Sequence, residues 1–160
     1  MATLGQPRIV DGKTLTIVGL IKRYTPQTLS QTGLQWFEMQ SRMANVTGRV
    51  DGNAYGVWYD VLKGGGEFSY VTGVAVGEFA PVDPQFSRAV MARLTYAVFQ
   101  HQGPAQDIRR TVDAIMSQWL PKSGRELAQI DDAPDFVEVY SEEFNRTGSG
   151  PIEIWLPIKT

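Results

Sequence analysis

The sequence predicts an α+β fold. Two strand–helix–strand–strand units, related by a pseudo-twofold axis, are expected to share one antiparallel sheet, with helices on one face and a cleft on the other. Three observations lead there. The same order of elements, judged by hydrophobic period, occurs twice along the 160 residues. The copies can be laid over one another: 15–20 (LTIVGL) over 94–99 (LTYAVF), 55–60 (YGVWYD) over 136–141 (FVEVYS), and 68–74 (FSYVTGV) over 152–158 (IEIWLPI). The offset grows from 79 to 81 to 84 residues, as small loop insertions would make it grow. Large aromatic side chains also fall on both parities of the strands, which implies a second apolar surface on the face the helices leave, a pocket or a subunit contact.

Lys13 to Tyr24 (KTLTIVGLIKRY) is rich in β-branched residues and reads as a long strand. Gln31 to Val46 reads as a helix with Leu34, Phe37 and Met43 in its buried stripe and Ser30 as its cap. Tyr55 to Asp60 and Phe68 to Val76 are strands joined through the hairpin signal Lys63-Gly64-Gly65-Gly66. Pro81, Asp83 and Pro84 mark a linker. Ala89 to Gln102 reads as a second long strand. Pro104 to Trp119 reads as a second helix, with proline in its first turn and Ile108, Val112, Ile115 and Trp119 on one face. Pro121 to Gly124 stops it. Phe136 to Glu142 and Ile152 to Ile158 form a second hairpin. The repeats then run over 13–78 and 86–159, and residues 1–160 make one domain.

Composition excludes several functions. A hydrophobic share of 42% and a charged share of 20% are those of an ordinary globular protein. Net charge is −2, too little positive charge for a broad nucleic-acid footprint. Helix 31–46 carries only Arg42, and helix 104–119 only Arg109 and Arg110, so neither is a basic recognition helix and no direct DNA binding is expected. There is no cysteine and His101 is the single histidine, which leaves no thiol nucleophile and no multi-histidine metal centre. No metal or cofactor is expected. The first residues lack a signal peptide, and no apolar run approaches the roughly 20 residues that cross a bilayer, so a cytoplasmic protein without membrane contact is expected.

The last strand carries the candidate site. Ile152, Ile154, Leu156 and Ile158 share one face, and Glu153 and Trp155 share the other. An indole beside a carboxylate shielded from water can receive an organic cation. Trp58, Tyr70, Tyr96, Phe99 and Tyr140 join Trp155 among the strand aromatics. Glu153 is the expected counter-ion, while Glu138 and the Glu142-Glu143 pair are expected to be exposed. His101 is expected at a turn or helix entry, and no catalytic residue is assigned.

Five segments together resemble the GyrI-like effector-binding family, the ligand-sensing domain of AraC-type and MerR-type regulators. They are Tyr55-Gly-Val-Trp-Tyr-Asp60, Tyr70-Val-Thr-Gly-Val74, Tyr96-Ala-Val-Phe-Gln-His-Gln-Gly103, Trp119-Leu-Pro-Lys-Ser-Gly124 and Glu153-Ile-Trp-Leu-Pro-Ile158. The likeness runs in order from Lys13 to Lys159. It implies a pocket between two strand–helix–strand–strand units and recognition of small lipophilic cations. The family's acid in the final strand maps to Glu153, and its aromatic wall to Trp155, Tyr96 and Trp36 or Trp58. The chain is similar to free-standing members such as integron-cassette proteins, since only about a dozen residues precede the first strand and leave no room for a helix-turn-helix. Three functions stay open: a sensor or sequestering protein for cationic drugs, which is preferred, a small-molecule hydrolase, or a protein-binding module of the gyrase-inhibitor kind. A homodimer and a regulatory partner are also left open.

Overall fold

The computed structural model describes residues 4–61, 66–128, 130 and 133–160. The strands are β1 (Arg8–Asp11), β2 (Leu15–Tyr24), β3 (Ala54–Tyr59), β4 (Phe68–Val76), β5 (Ser87–Met91), β6 (Thr95–Gln100), β7 (Phe136–Tyr140) and β8 (Ile152–Ile158). All pair antiparallel in one eight-stranded sheet of order β1-β6-β8-β7-β3-β4-β2-β5. Exchanging the first four strands for the last four reads that order backwards. The topology is therefore twofold about the central β3–β7 pair.

The registers obey the same symmetry. Thr16↔Val76 in β2–β4 corresponds to Thr95↔Ile158 in β6–β8, and Tyr55↔Gly73 in β3–β4 to Val137↔Trp155 in β7–β8. Equivalent residues thus lie 79 apart in the first long strands and 82 apart in the later ones. The expected offsets of 81 and 84 both become 82. The slip of one matters, because it turns a strand over. Glu138 is the symmetry mate of Gly56, and the two are paired with each other across β3 and β7.

Two short strands, β1 and β5, escaped the sequence reading. Ala89 to Gln102 is not one strand: the chain leaves β5 at one edge of the sheet and enters β6 near the other. Gly12–Thr14 makes the same jump from β1 to β2. Six strand spacings of a flat sheet measure about 29 Å, whereas such a connector reaches only about 14 Å. The sheet must curl until its ends meet, and they do: Gly12 N donates to Leu94 O at 2.8 Å.

Cross-strand partners share a face, so Leu20, Thr72, Gly56, Glu138, Ile154 and Phe99 form one row across six strands. Helix α1 (Thr32–Arg42) sets Met39 on Val18, Leu20, Val74 and Val76 of that face. Helix α2 (Ile108–Ala114) begins a segment that sets Ile108 and Ile115 on Phe99, Ile154 and Leu156 of the same face. Both helices cover one face, as expected. The other face is not an open cleft. Curling has turned it into a core filled by Ile17, Tyr55, Val57, Val71, Tyr96, Val98, Val137 and Val139.

Local differences have local causes. In α1 the buried residues are Gln35 and Met39; of the expected stripe, Met43 packs on the core just past the helix, while Leu34 and Phe37 are 68% and 74% exposed. Ser30 lies in a 3₁₀ turn (Leu29–Gln31) and does not cap α1. The second helix passes through a π-helical turn (Ile115–Trp119) into α3 (Leu120–Ser123), which ends at Gly124 with φ 73°. Between β7 and β8 lies a further helix, α4 (Glu142–Thr147), capped by Ser141 Oγ accepting from Phe144 N at 3.1 Å. The β3–β4 turn expected at Lys63–Gly66 lies, Gly66 apart, outside the described residues.

Candidate functional site

Glu138 sits at the middle of β7, on the helix-bearing face, and is only 6% exposed. Strand alternation puts Val137 and Val139 into the core of the curl, so their neighbour must point the other way. There it finds the place left free by Gly56: a Cβ at that glycine would lie 2.5 Å from Glu138 Oε1.

Three neutral groups donate to the carboxylate. Tyr70 Oη reaches Oε1 at 2.5 Å, Tyr140 Oη reaches Oε1 at 3.0 Å, and Trp58 Nε1 reaches Oε2 at 2.9 Å. Trp36 Nε1, carried by α1, donates in turn to Tyr70 Oη at 2.7 Å. The rings close over the acid. Trp58 stacks on Tyr70 at 3.9 Å between centroids, and Trp36 stands edge-on to Tyr140 at 5.1 Å. Phe136 stacks on the other side of Trp58, and Phe144 of α4 packs on Tyr140. Among the described residues, no lysine or arginine lies within salt-bridge range of Glu138.

Burial pushes the Glu138 carboxyl above the usual range; the bonds from Tyr70, Trp58 and Tyr140 and the charge of His101 oppose that without overcoming it. Tyr70 and Tyr140 are raised well above an ordinary phenol, first by burial and then by the negative charge of Glu138. Both phenols therefore stay neutral donors. His101 is buried beside α2, with Nδ1 2.7 Å from Thr111 Oγ1 and Nε2 2.7 Å from Pro104 O, the helix-entry position expected of it.

Four of the residues named from sequence thus meet at one point: Trp36, Trp58, Tyr70 and Tyr140. Phe99 lies on the same face but two strands away, edge-on to Trp119 at 5.1 Å. Glu153, Trp155 and Tyr96 lie on the opposite face. Tyr96 and Trp155 pack together at 5.3 Å inside the curl. Glu153 is answered by its own protein: Arg8 at 3.1 Å, Gln100 Nε2 at 2.8 Å and Trp155 Nε1 at 3.1 Å. Glu138 was expected to be exposed and is buried. The signal for it was present in Val137-Glu138-Val139, an acid between two core residues of a central strand, once both faces of that strand are covered.

No helix of the described residues is long and apolar enough to cross a membrane, and no group of three or more His, Asp or Glu side chains among them could hold a metal ion.

Comparison with known proteins agrees with the fold. The model of the GyrI-like small molecule binding domain matches residues 5–159. The transcriptional regulator BrlR of Pseudomonas aeruginosa is 30% identical over 156 residues, covering 94% of this chain but only 54% of its own length. The chain thus spans about half of that curated relative. Among solved structures, SAV2435 bound to tetraphenylphosphonium superposes with a TM-score of 0.73 at 19% identity, over 97% of this chain and 94% of the other. An integron cassette protein from the mobile metagenome of Vibrio cholerae superposes with a TM-score of 0.62 at 12% identity, over 98% and 97%. At such identities the likeness is one of fold.

Proposed function

The chain belongs to the GyrI-like small molecule binding domain family, and from that premise we propose that it binds small lipophilic organic cations against Glu138. One observation carries the reading. A carboxylate is buried among indoles and phenols, and no cationic side chain of the described residues pairs with it. Burying an acid without a counter-charge is costly. A cation with aromatic or aliphatic bulk would supply the missing charge, and the rings of Trp36 and Tyr140 would take its apolar part. Glu138 is only 6% exposed, so a ligand would reach it by parting Trp36 from Tyr140, whose rings stand edge-on at 5.1 Å. The tetraphenylphosphonium bound by SAV2435 is a ligand of this chemical class.

The role is binding without turnover. The groups touching Glu138 are two phenols and an indole, with no nucleophile–base pair among them. The bound state would serve a drug-responsive regulatory system, by signalling to a partner or by sequestering the ligand.

Tryptophan fluorescence tests this. Tetraphenylphosphonium should quench the wild type and bind Glu138→Gln more weakly by up to about 3 kcal/mol, the Coulomb attraction of unit charges about 5.5 Å apart at an effective dielectric constant of about 20, since this cation carries charge but no hydrogen-bond donor. Triphenylmethanol, neutral and of similar bulk, should bind both alike. Equal binding of the cation to both proteins would refute the assignment.

A further inference from the structure

Gln35 is the most completely buried polar side chain on α1, at 0% exposure, in a helix that leaves Leu34 and Phe37 in solvent. Hydrophobic burial alone would rotate α1 the other way, since each of those two side chains would gain by being covered. The carboxamide explains why it does not. Gln35 Nε2 lies 3.0 Å from Leu20 O on β2, 2.9 Å from Tyr70 O and 3.2 Å from Thr72 Oγ1 on β4. Gln35 Oε1 accepts from Tyr24 Oη at 2.7 Å. One amide therefore ties the helix to two adjacent strands, and an apolar residue there would remove every one of those bonds.

The next residue is Trp36. With α1 held in this rotation, its indole reaches the Tyr70 hydroxyl, the group that donates to Glu138. Gln35 holds the backbone of Tyr70, and Trp36 holds the side chain of the same residue. A helix turned to bury Leu34 and Phe37 would carry Trp36 away from both Tyr70 and Tyr140.

We propose that Gln35 is the positioning residue of the binding site: its carboxamide sets the rotation of α1 and thereby holds Trp36 and Tyr70 over Glu138. This rests on the binding reading given above. Gln35 touches no ligand and acts through its neighbour and through β4.

The test is a double-mutant cycle on the full chain, read by calorimetric titration with tetraphenylphosphonium. Gln35→Met keeps bulk and removes the amide, and Trp36→Phe keeps an aromatic ring but removes the indole N–H. Each single variant should lose about tenfold in affinity, and the double variant no more than the weaker single, because both act through one element. Gln35→Leu, which removes the amide with a different side-chain shape and adds no charge, should behave like Gln35→Met and serves if that variant does not fold. A residue that only supports the fold would lower the melting temperature and leave the affinity of the folded protein unchanged. That result, or additive losses in the cycle, overturns the proposal. Glu138→Gln run in parallel separates the two ideas: if it too binds as wild type, the binding reading has failed, and if it alone loses affinity, only the role of Gln35 has.

Discussion

Gly56 and Glu138 face each other across the central strand pair at symmetry-equivalent positions, and the glycine's missing side chain is the space the carboxylate occupies. A Cβ at residue 56 would lie 2.5 Å from Glu138 Oε1 and 2.5 Å from Tyr70 Oη. Two copies of one unit have thus become unequal on their own axis, one supplying the charge and the other the room for it. Gly56→Ala is expected to destabilise the fold by about 1–3 kcal/mol through overpacking, and to weaken cation binding in the protein that remains folded. Denaturant unfolding and a ligand titration on the same sample check both parts.

Glu138 also links stability to pH. Its folded carboxyl is raised by burial above its unfolded range, so the folded state holds the proton more tightly. That contribution is fully present below the unfolded range and is lost as pH rises through the folded value. Glu138→Gln is neutral throughout and escapes the loss. Its melting temperature relative to wild type should therefore climb as pH rises from the ordinary glutamate range and level off above the folded value. A constant difference would show that the carboxyl does not titrate in this way.

The same sign governs binding. A cation pairs with the ionised carboxylate, so affinity for tetraphenylphosphonium should increase as pH rises through the raised Glu138 range, with a proton released on binding. Tyr70 and Tyr140, held neutral by burial, should not blunt that rise. Calorimetry in two buffers of different ionisation enthalpy measures the released proton. Affinity that falls with rising pH would contradict the account.

The strand pattern made most of the sheet legible, and it misled where one face was judged alone. In β8 the alternation of Ile152, Ile154, Leu156 and Ile158 against Glu153 and Trp155 is as read. What could not be read was which face would hold the site, because that depends on the curl, and the curl follows from the connectors Gly12–Thr14 and Ala92–Leu94. The run Ala89 to Gln102 holds no glycine or proline to mark the break between β5 and β6. In α1, Leu34 and Phe37 offered a conventional apolar stripe, and nothing local announces that Gln35 has acceptors waiting on β2 and β4. Glu138 was misjudged for a related reason: an acid between valines looks like the wet side of a strand until a helix is known to cover that side.

Glu153 gives the contrasting expectation. Its carboxylate is paired with Arg8 near the sheet edge, where such a pair is worth about 0–1 kcal/mol. Glu153→Gln should leave tetraphenylphosphonium affinity within about twofold of wild type, a small part of that range. A loss as large as that of Glu138→Gln would move the binding site to the other face of the sheet.

The most direct measurement is the crystal structure of the chain with tetraphenylphosphonium. The cation should lie on the helix-bearing face, its charge within about 6 Å of an aromatic ring around Glu138, with Trp36 displaced from Tyr140 to admit it. Density for the cation beside Glu153 and Trp155, or anywhere that leaves the rings around Glu138 closed, would contradict that placement.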